Sequence, residues 1–78
     1  MTSQKIKQDE IFIGKNIRSI RIEKGLGQTE LVRQLQLGGI EITRETLVKI
    51  ERGTQHIRAT QLRAIRDLLG TTYDELLK

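Results

Sequence analysis

The stretch that decides the fold is QTELVRQLQLGGIEITRETLVKIERG, residues 28–53. Apolar residues recur at helical spacing on both sides of a glycine pair, at Leu31, Val32 and Leu35 before it and at Leu47 and Ile50 after it. Gly38 and Gly39 favour a turn, Thr43 is a good N-cap, and Gly53 is a typical helix end. The stretch therefore predicts a helix from Gln28 to the glycine pair and a second helix after Thr43.

Upstream, the sequence predicts one longer helix. Asp9 is a suitable N-cap, and a helix from there to Lys24 places three isoleucines on one face, Ile13, Ile17 and Ile20. Gly25 is the expected stop. The polar residues 1–8 are predicted to be a flexible tail, which leaves 9–78 as the folded domain.

Downstream, the sequence predicts a short extended link and two more helices. The link is Ile40–Glu41–Ile42. A helix from Ala59 to Leu69 would stop at Gly70 and turn four residues inward, Leu62, Ile65, Leu68 and Leu69. Thr72 and Glu75 have the spacing of a capping box that opens a last helix with Leu76 and Leu77. The predicted fold class is all-α, with five helices in one compact domain.

The composition excludes several classes of protein. A chain of 78 residues suffices for one small domain with a marginal core, and without cysteine it has no disulfide or thiolate metal site. The single histidine, His56, has no clustered ligands, so we expect no metal and no cofactor. No nucleophile, base and acid form a catalytic pattern, which predicts that the protein is not an enzyme.

The chain lacks the features of a membrane or secreted protein. Its opening MTSQKIKQDE has no apolar core of the signal-peptide kind. No apolar run approaches the ~18 residues of a membrane helix. We therefore expect a cytoplasmic protein without a membrane partner.

Positive charge is concentrated in the third quarter of the chain. The net charge is +4, and residues 43–66 alone hold six basic side chains against two acidic ones. A local basic patch is typical of a protein that binds a polyanion, although many surface helices are basic only for solubility.

The two central helices and their turn form a helix-turn-helix pattern, in which the second helix enters the major groove of DNA. Arg44 suits a guanine, Glu45 a cytosine amino group, Thr46 a thymine methyl group, and Lys49 a guanine or a phosphate. By spacing alone, an ordinary amphipathic helix with a solvated charged face explains the pattern equally well.

Three segments carry a resemblance to a known family: IGKNIRSIRIEKGLGQTEL at 13–31, TRETLVKIERG at 43–53 and LRAIRDLLGTTYDELL at 62–77. They resemble the Cro/C1-type (XRE) helix-turn-helix family of phage repressors and bacterial regulators. The most specific pieces are the Gly25-Leu26-x-Gln28 group and the Ile50-Glu51-Arg52-Gly53 tetrad. The resemblance implies a lambda-repressor-like fold over nearly the whole chain.

The resemblance also implies roles for individual residues. Those expected to contact bases are Arg44, Glu45, Thr46 and Lys49. Those expected to contact the DNA backbone are Gln28, Thr43, Arg52, Thr54 and Arg58. Arg21 and Glu51 are expected to form a structural ion pair.

The sequence departs from the family pattern in the predicted helix that begins at Gln28, here called helix 2, and in the turn that follows it. Gly27 stands where serine or asparagine is usual, and Val32 replaces a small alanine. The turn between Leu35 and Thr43 is about five residues longer than the common form, counted against the resemblance. This extended turn, 36–42, would lengthen helix 2 or bulge towards DNA or a partner.

Two functions of different classes fit these observations. The first is a sequence-specific regulator of transcription, a repressor that binds an inverted-repeat operator in double-stranded DNA as a homodimer. The alternative is a protein-interaction module, such as an antitoxin or anti-repressor, whose partner is another protein.

Overall fold

The described residues form five helices, and the apolar face of each helix packs into one shared core. The computed structural model describes residues 5–6 and 12–78 of the chain. The helices are α1 (Ile13–Glu23), α2 (Gln28–Leu37), α3 (Arg44–Arg52), α4 (Ala59–Leu69) and α5 (Tyr73–Leu76). The predicted all-α, five-helix fold is confirmed for the described part of the chain.

The helix ends follow local capping chemistry. The Thr43 hydroxyl accepts a hydrogen bond from the Thr46 amide at 3.1 Å, which satisfies an otherwise unpaired donor at the start of α3. Gly53 ends α3 in the left-handed conformation, with φ of 81°, which a side chain would disfavour. The Thr72 hydroxyl likewise accepts from the Glu75 amide, but the Glu75 carboxylate accepts from Lys78 Nζ instead of reaching back.

The start of α1 differs from the prediction. Phe12 has a non-helical backbone, with φ of −94° and ψ of 68°, and the helix begins at Ile13. The predicted cap, Asp9, lies outside the described residues. The Asn16 side chain in α1 donates to the carbonyl oxygens of Leu76 and Lys78, and these bonds hold α5 against α1.

The core is almost entirely aliphatic and draws on every helix. Its fully buried members include Ile13, Ile17, Leu31, Leu35, Leu47, Ile50, Ile65 and Leu76. One prediction about it is wrong. Leu68, expected to face inward, is 39% exposed, because Ile65 and Leu69 already fill the buried side of α4. Ile57, which lies outside all five predicted helices, is completely buried.

Two very short strands pair in front of α4. β1 (Lys5–Ile6) is antiparallel to β2 (Ile57–Arg58), with Lys5 opposite Arg58 and Ile6 opposite Ile57. This pairing falls within the stretch predicted as a flexible tail, of which the remaining residues lie outside the described part. It supplies backbone partners to the segment that leads into α4.

The extended turn adds only Leu37 to α2, and the chain then leaves the helix. The Ile40 amide donates to the Leu35 carbonyl at 2.9 Å, and Gly39 is left-handed, with φ of 87°. Two side-chain amides bind the far end of the turn: Gln36 donates to the Ile42 carbonyl at 2.8 Å, and Gln61 donates to the Glu41 carbonyl at 3.4 Å. The turn is thus tied to both α2 and α4.

None of the helices in the described ranges 12–78 is long and apolar enough to cross a membrane.

The backbones of α1 and α3 approach each other closely at Gly14. A Cβ atom built on Gly14 would overlap the carbonyl oxygen of Ile50 and lie 3.0 Å from the Cα atom of Glu51. Only glycine allows this contact, since backbone atoms cannot yield as a flexible side chain does. Gly14 therefore sets how near α1 lies to α3.

We predict that Gly14→Ala destabilises the domain by about 3 kcal/mol, the upper part of the usual range for overpacking, because the methyl group displaces α3 from α1. Urea denaturation followed by circular dichroism measures the change. Gly38→Ala is the matched control, since its Cβ would meet only ordinary contacts of 3.5 Å. Equal stability of the two variants would contradict the close approach.

Candidate nucleic-acid interface

The outward face of α3 is charged at its N-terminal half. Arg44, Glu45 and Lys49 are exposed, while Thr46 and Val48 are half-buried. On the opposite face, Leu47 and Ile50 expose no surface at all. One side of α3 is thus held rigidly by the core, and the other presents cations and hydrogen-bonding groups to solvent.

A buried ion pair fixes α3 to α1. Arg21 Nε donates to Glu51 Oε2 at 2.7 Å, and Arg21 Nη2 donates to Glu51 Oε1 at 2.9 Å, with both residues 7% exposed. Arg21 Nη1 donates to the Leu26 carbonyl at 2.8 Å, just before α2. The two-pronged geometry is the strong form of the arginine–carboxylate contact, and it fixes rotation as well as distance.

Gln28, the first residue of α2, joins the same network. Its Nε2 donates to Glu51 Oε1 at 3.0 Å. A side-chain amide has two N–H donors, so one remains for a ligand outside the protein. The residues Arg21, Gln28 and Glu51 therefore connect α1, α2 and α3 at one point.

Beside this network lies a cleft of about 460 Å³, here called the corner cleft, between α1, α2 and α3. It is lined by Arg18, Gln28, Arg44, Val48, Glu51 and Arg52. Three arginines and one glutamine thus line one open space, and their side chains are of the kind that binds an oxyanion.

A second cleft of about 270 Å³, here called the turn cleft, lies between the extended turn, the start of α3 and the segment before α4. It is lined by Glu41, Ile42, Thr43, Thr46, Gln55, His56, Arg58 and Gln61. Gln61 is buried and is held by the Arg58 amide, which donates to its Oε1 at 2.9 Å. The turn cleft therefore joins an acidic residue of the extended turn to basic groups of the following segment.

Two of the threonines expected at the DNA backbone already serve as helix caps. Thr43 Oγ1 donates to Thr46 Oγ1 at 3.0 Å, and Thr54 Oγ1 donates to the Lys49 carbonyl at 3.2 Å. A phosphate oxygen only accepts hydrogen bonds, so either hydroxyl would have to release its intramolecular acceptor to contact one.

The structure divides the expected site residues into groups. Gln28, Arg44 and Arg52 share the corner cleft, and Thr43, Thr46 and Arg58 share the turn cleft. Glu45, Lys49 and Thr54 line neither of the two. Arg18 was not among the site residues predicted from the sequence. It lies three residues before Arg21 on the same helix, and residues at this spacing share one face, which is a sequence signal for its position.

No group of three or more potential metal ligands occurs among the described residues. On α2, near the interface, the pKa of the Glu30 carboxyl is lowered by hydrogen bonds from Gln34 and from Arg33.

The comparisons with known proteins agree with this geometry. A family model described as a helix-turn-helix domain matches residues 13–78, which include all five helices. No curated protein and no solved structure matches the chain.

We predict that Glu51→Ala costs about 3–5 kcal/mol of stability, because it leaves the Arg21 guanidinium buried without its carboxylate. Chemical denaturation measures the loss. Glu30→Ala is the matched control: the Glu30–Arg33 pair has the same 2.7 Å separation but is exposed, so its removal should cost less than about 1 kcal/mol. A mild effect of Glu51→Ala, similar to that of the control, would rule out the proposed structural importance of the buried pair.

Proposed function

The chain belongs to the family of helix-turn-helix domains and has DNA as its partner, and we propose that it is a small regulator of transcription. In this proposal it binds a specific site in double-stranded DNA and acts as a repressor. The recognition helix is α3 with its cap, residues 43–52, placed in the major groove.

The observation that carries the proposal is the two-sided character of α3. Leu47 and Ile50 are completely buried, whereas Arg44, Glu45 and Lys49 project from the first turns into solvent. A helix that enters the major groove needs a rigid support on one side and base-reading side chains on the other.

The base contacts follow from side-chain chemistry. Arg44 would donate two hydrogen bonds to the O6 and N7 atoms of a guanine, and Glu45 would accept from a cytosine amino group. Thr46 would present its methyl group to a thymine methyl group, since its hydroxyl already accepts from Thr43. Lys49 lies one turn further on and would reach a guanine or a phosphate.

The backbone contacts are supported unequally. Gln28 has a spare amide donor, and the exposed guanidinium groups of Arg52 and Arg58 make no ion pair within the described residues. The hydroxyls of Thr43 and Thr54 would first have to release the oxygen atoms to which they donate. Phosphate contacts of this kind supply affinity and register, and the base contacts supply the choice of site.

A symmetric homodimer completes the proposal. Two α3 helices would enter successive major grooves about 34 Å apart, which matches an inverted-repeat operator. Apolar side chains available for the dimer contact are those of Phe12, Ile22 and Leu37, which are 58%, 51% and 82% exposed. The proposed role is that of a cytoplasmic protein.

The same exposed apolar side chains favour one alternative function. An antitoxin or anti-repressor of this fold would use them to hold a different protein instead of a second copy of itself. The two functions differ in whether the chain alone discriminates between DNA sequences.

We predict specific binding to the DNA immediately upstream of the protein's own gene. Fluorescence anisotropy with that duplex and with a scrambled duplex, each at several salt concentrations, measures it. The native duplex should bind two chains tightly. Its affinity should fall as the salt concentration rises, because binding releases about 0.9 counterions for each phosphate that the protein neutralises. Equal and weak binding to both duplexes would contradict the regulator and favour a protein partner.

We further predict that Arg44→Ala weakens binding to the operator by about 1–3 kcal/mol and relaxes the preference at a single base pair, because a two-bond guanine contact is lost. A set of operators with every single-base change measures the preference. A uniform loss of affinity for all sequences would instead make Arg44 a phosphate contact.

A further inference from the structure

The corner cleft contains more positive charge than the protein itself neutralises. Arg18, Arg44 and Arg52 are all exposed and line this one cleft. The ion pairs within residues 12–78 use other cations, namely Arg21, Arg33, Arg66 and Lys78. Three arginines therefore line one space, and none of them lies at ion-pair distance from a carboxylate within residues 12–78.

Glu51, the only acidic residue that lines the corner cleft, is already engaged. Its Oε2 accepts from Arg21 Nε, and its Oε1 accepts from Arg21 Nη2 and from Gln28 Nε2. The Arg21 guanidinium neutralises the carboxylate from the core side. Glu51 thus positions Gln28, but its negative charge is balanced by Arg21 and does not balance the charges of Arg18, Arg44 and Arg52.

The helices that carry Arg18 and Arg52 are held together by the core. Arg18 is on α1 and Arg52 on α3, and these two helices are joined by the Gly14 contact and by the Arg21–Glu51 pair. Like charges held near one another repel, so the arrangement costs free energy in the unbound protein. An anion in the cleft would remove that cost.

We propose that Arg18 is a DNA-contacting residue and that Arg18, Gln28 and Arg52 together hold one phosphodiester group of the DNA backbone in the corner cleft. Helix α1 then takes part in binding, in addition to α2 and α3. Guanidinium groups match phosphate oxygens in geometry and charge, and the spare Gln28 N–H adds a third donor. The inference depends on DNA as the partner in the proposed function, and not on sequence specificity.

The experiment measures binding of a 20-base-pair duplex of random sequence to the full chain and to Arg18→Ala, from low to moderate salt. A phosphate contact is independent of sequence, so no operator is needed. Arg63→Ala is the matched control, because Arg63 is also an exposed, unpaired arginine but lies on α4 and lines neither the corner cleft nor the turn cleft. Thermal unfolding of each variant is recorded alongside.

We expect Arg18→Ala to weaken binding about tenfold, which corresponds to the loss of one charge-assisted hydrogen-bond contact. The number of counterions released on binding should fall by about 0.9. Its melting temperature should equal or exceed that of the wild type, because like-charge repulsion is relieved. Arg63→Ala should change neither binding nor melting temperature. Arg18→Lys should retain most of the salt dependence and lose part of the affinity, because it keeps the charge and loses the planar fork.

Two results would overturn the inference. One is that Arg18→Ala and Arg63→Ala behave alike, since Arg18 would then contribute only general charge. The other is that Arg18→Ala and Arg18→Lys both lower the melting temperature, which would show a structural role. If the wild type binds native and scrambled duplexes equally while Arg18→Ala still loses affinity for the random duplex, the sequence-specific regulator is contradicted and the phosphate site stands.

Discussion

The buried pair between Arg21 and Glu51 is the constraint on which the DNA-facing surface depends. Hydrophobic burial is non-directional, and by itself it would leave α3 free to rotate against a core of interchangeable leucines and isoleucines. The arginine fork fixes that rotation, because each of its contacts has a preferred direction. Removing two charges from water is costly, so the pair is best understood as setting geometry and not as a source of stability.

The close contact at Gly14 makes this pair possible. With the α1 backbone lying directly against the Ile50 carbonyl, the helices are near enough for Arg21 to reach Glu51 with two bonds. Gln28 then attaches α2 to the same carboxylate. One side chain near the C-terminal end of α3 thereby connects all three helices, while the N-terminal end of α3 carries none of these three bonds.

The parts of the fold that could be predicted from sequence are those decided by local chemistry. The cap at Thr43 and the stop at Gly53 were predicted because their interactions lie within a few residues. The burial of Ile57, the exposure of Leu68 and the contact at Gly14 depend on which distant segment lies alongside, and no local pattern encodes that.

Some features of the candidate site could also be predicted from the sequence, and others could not. The outward positions of α3 could be predicted because helical periodicity fixes them once the buried face is known. The hydrogen bonds that the Thr43 and Thr54 hydroxyls donate could not, since they depend on side-chain rotamers. Arg18 gains its significance only when α1, α2 and α3 meet at the corner cleft.

The extended turn also decides how charge is distributed on the two sides of α3. Because Gln36 and Gln61 hold its carbonyl groups, the turn is a fixed part of the surface and brings Glu41 to the turn cleft. That cleft combines a carboxylate with Arg58, whereas the corner cleft on the other flank presents three guanidinium groups and a neutralised Glu51. In the proposed complex, this asymmetry would attract the polyanion more strongly to the corner-cleft side and favour one orientation of α3 on the duplex before any base is contacted.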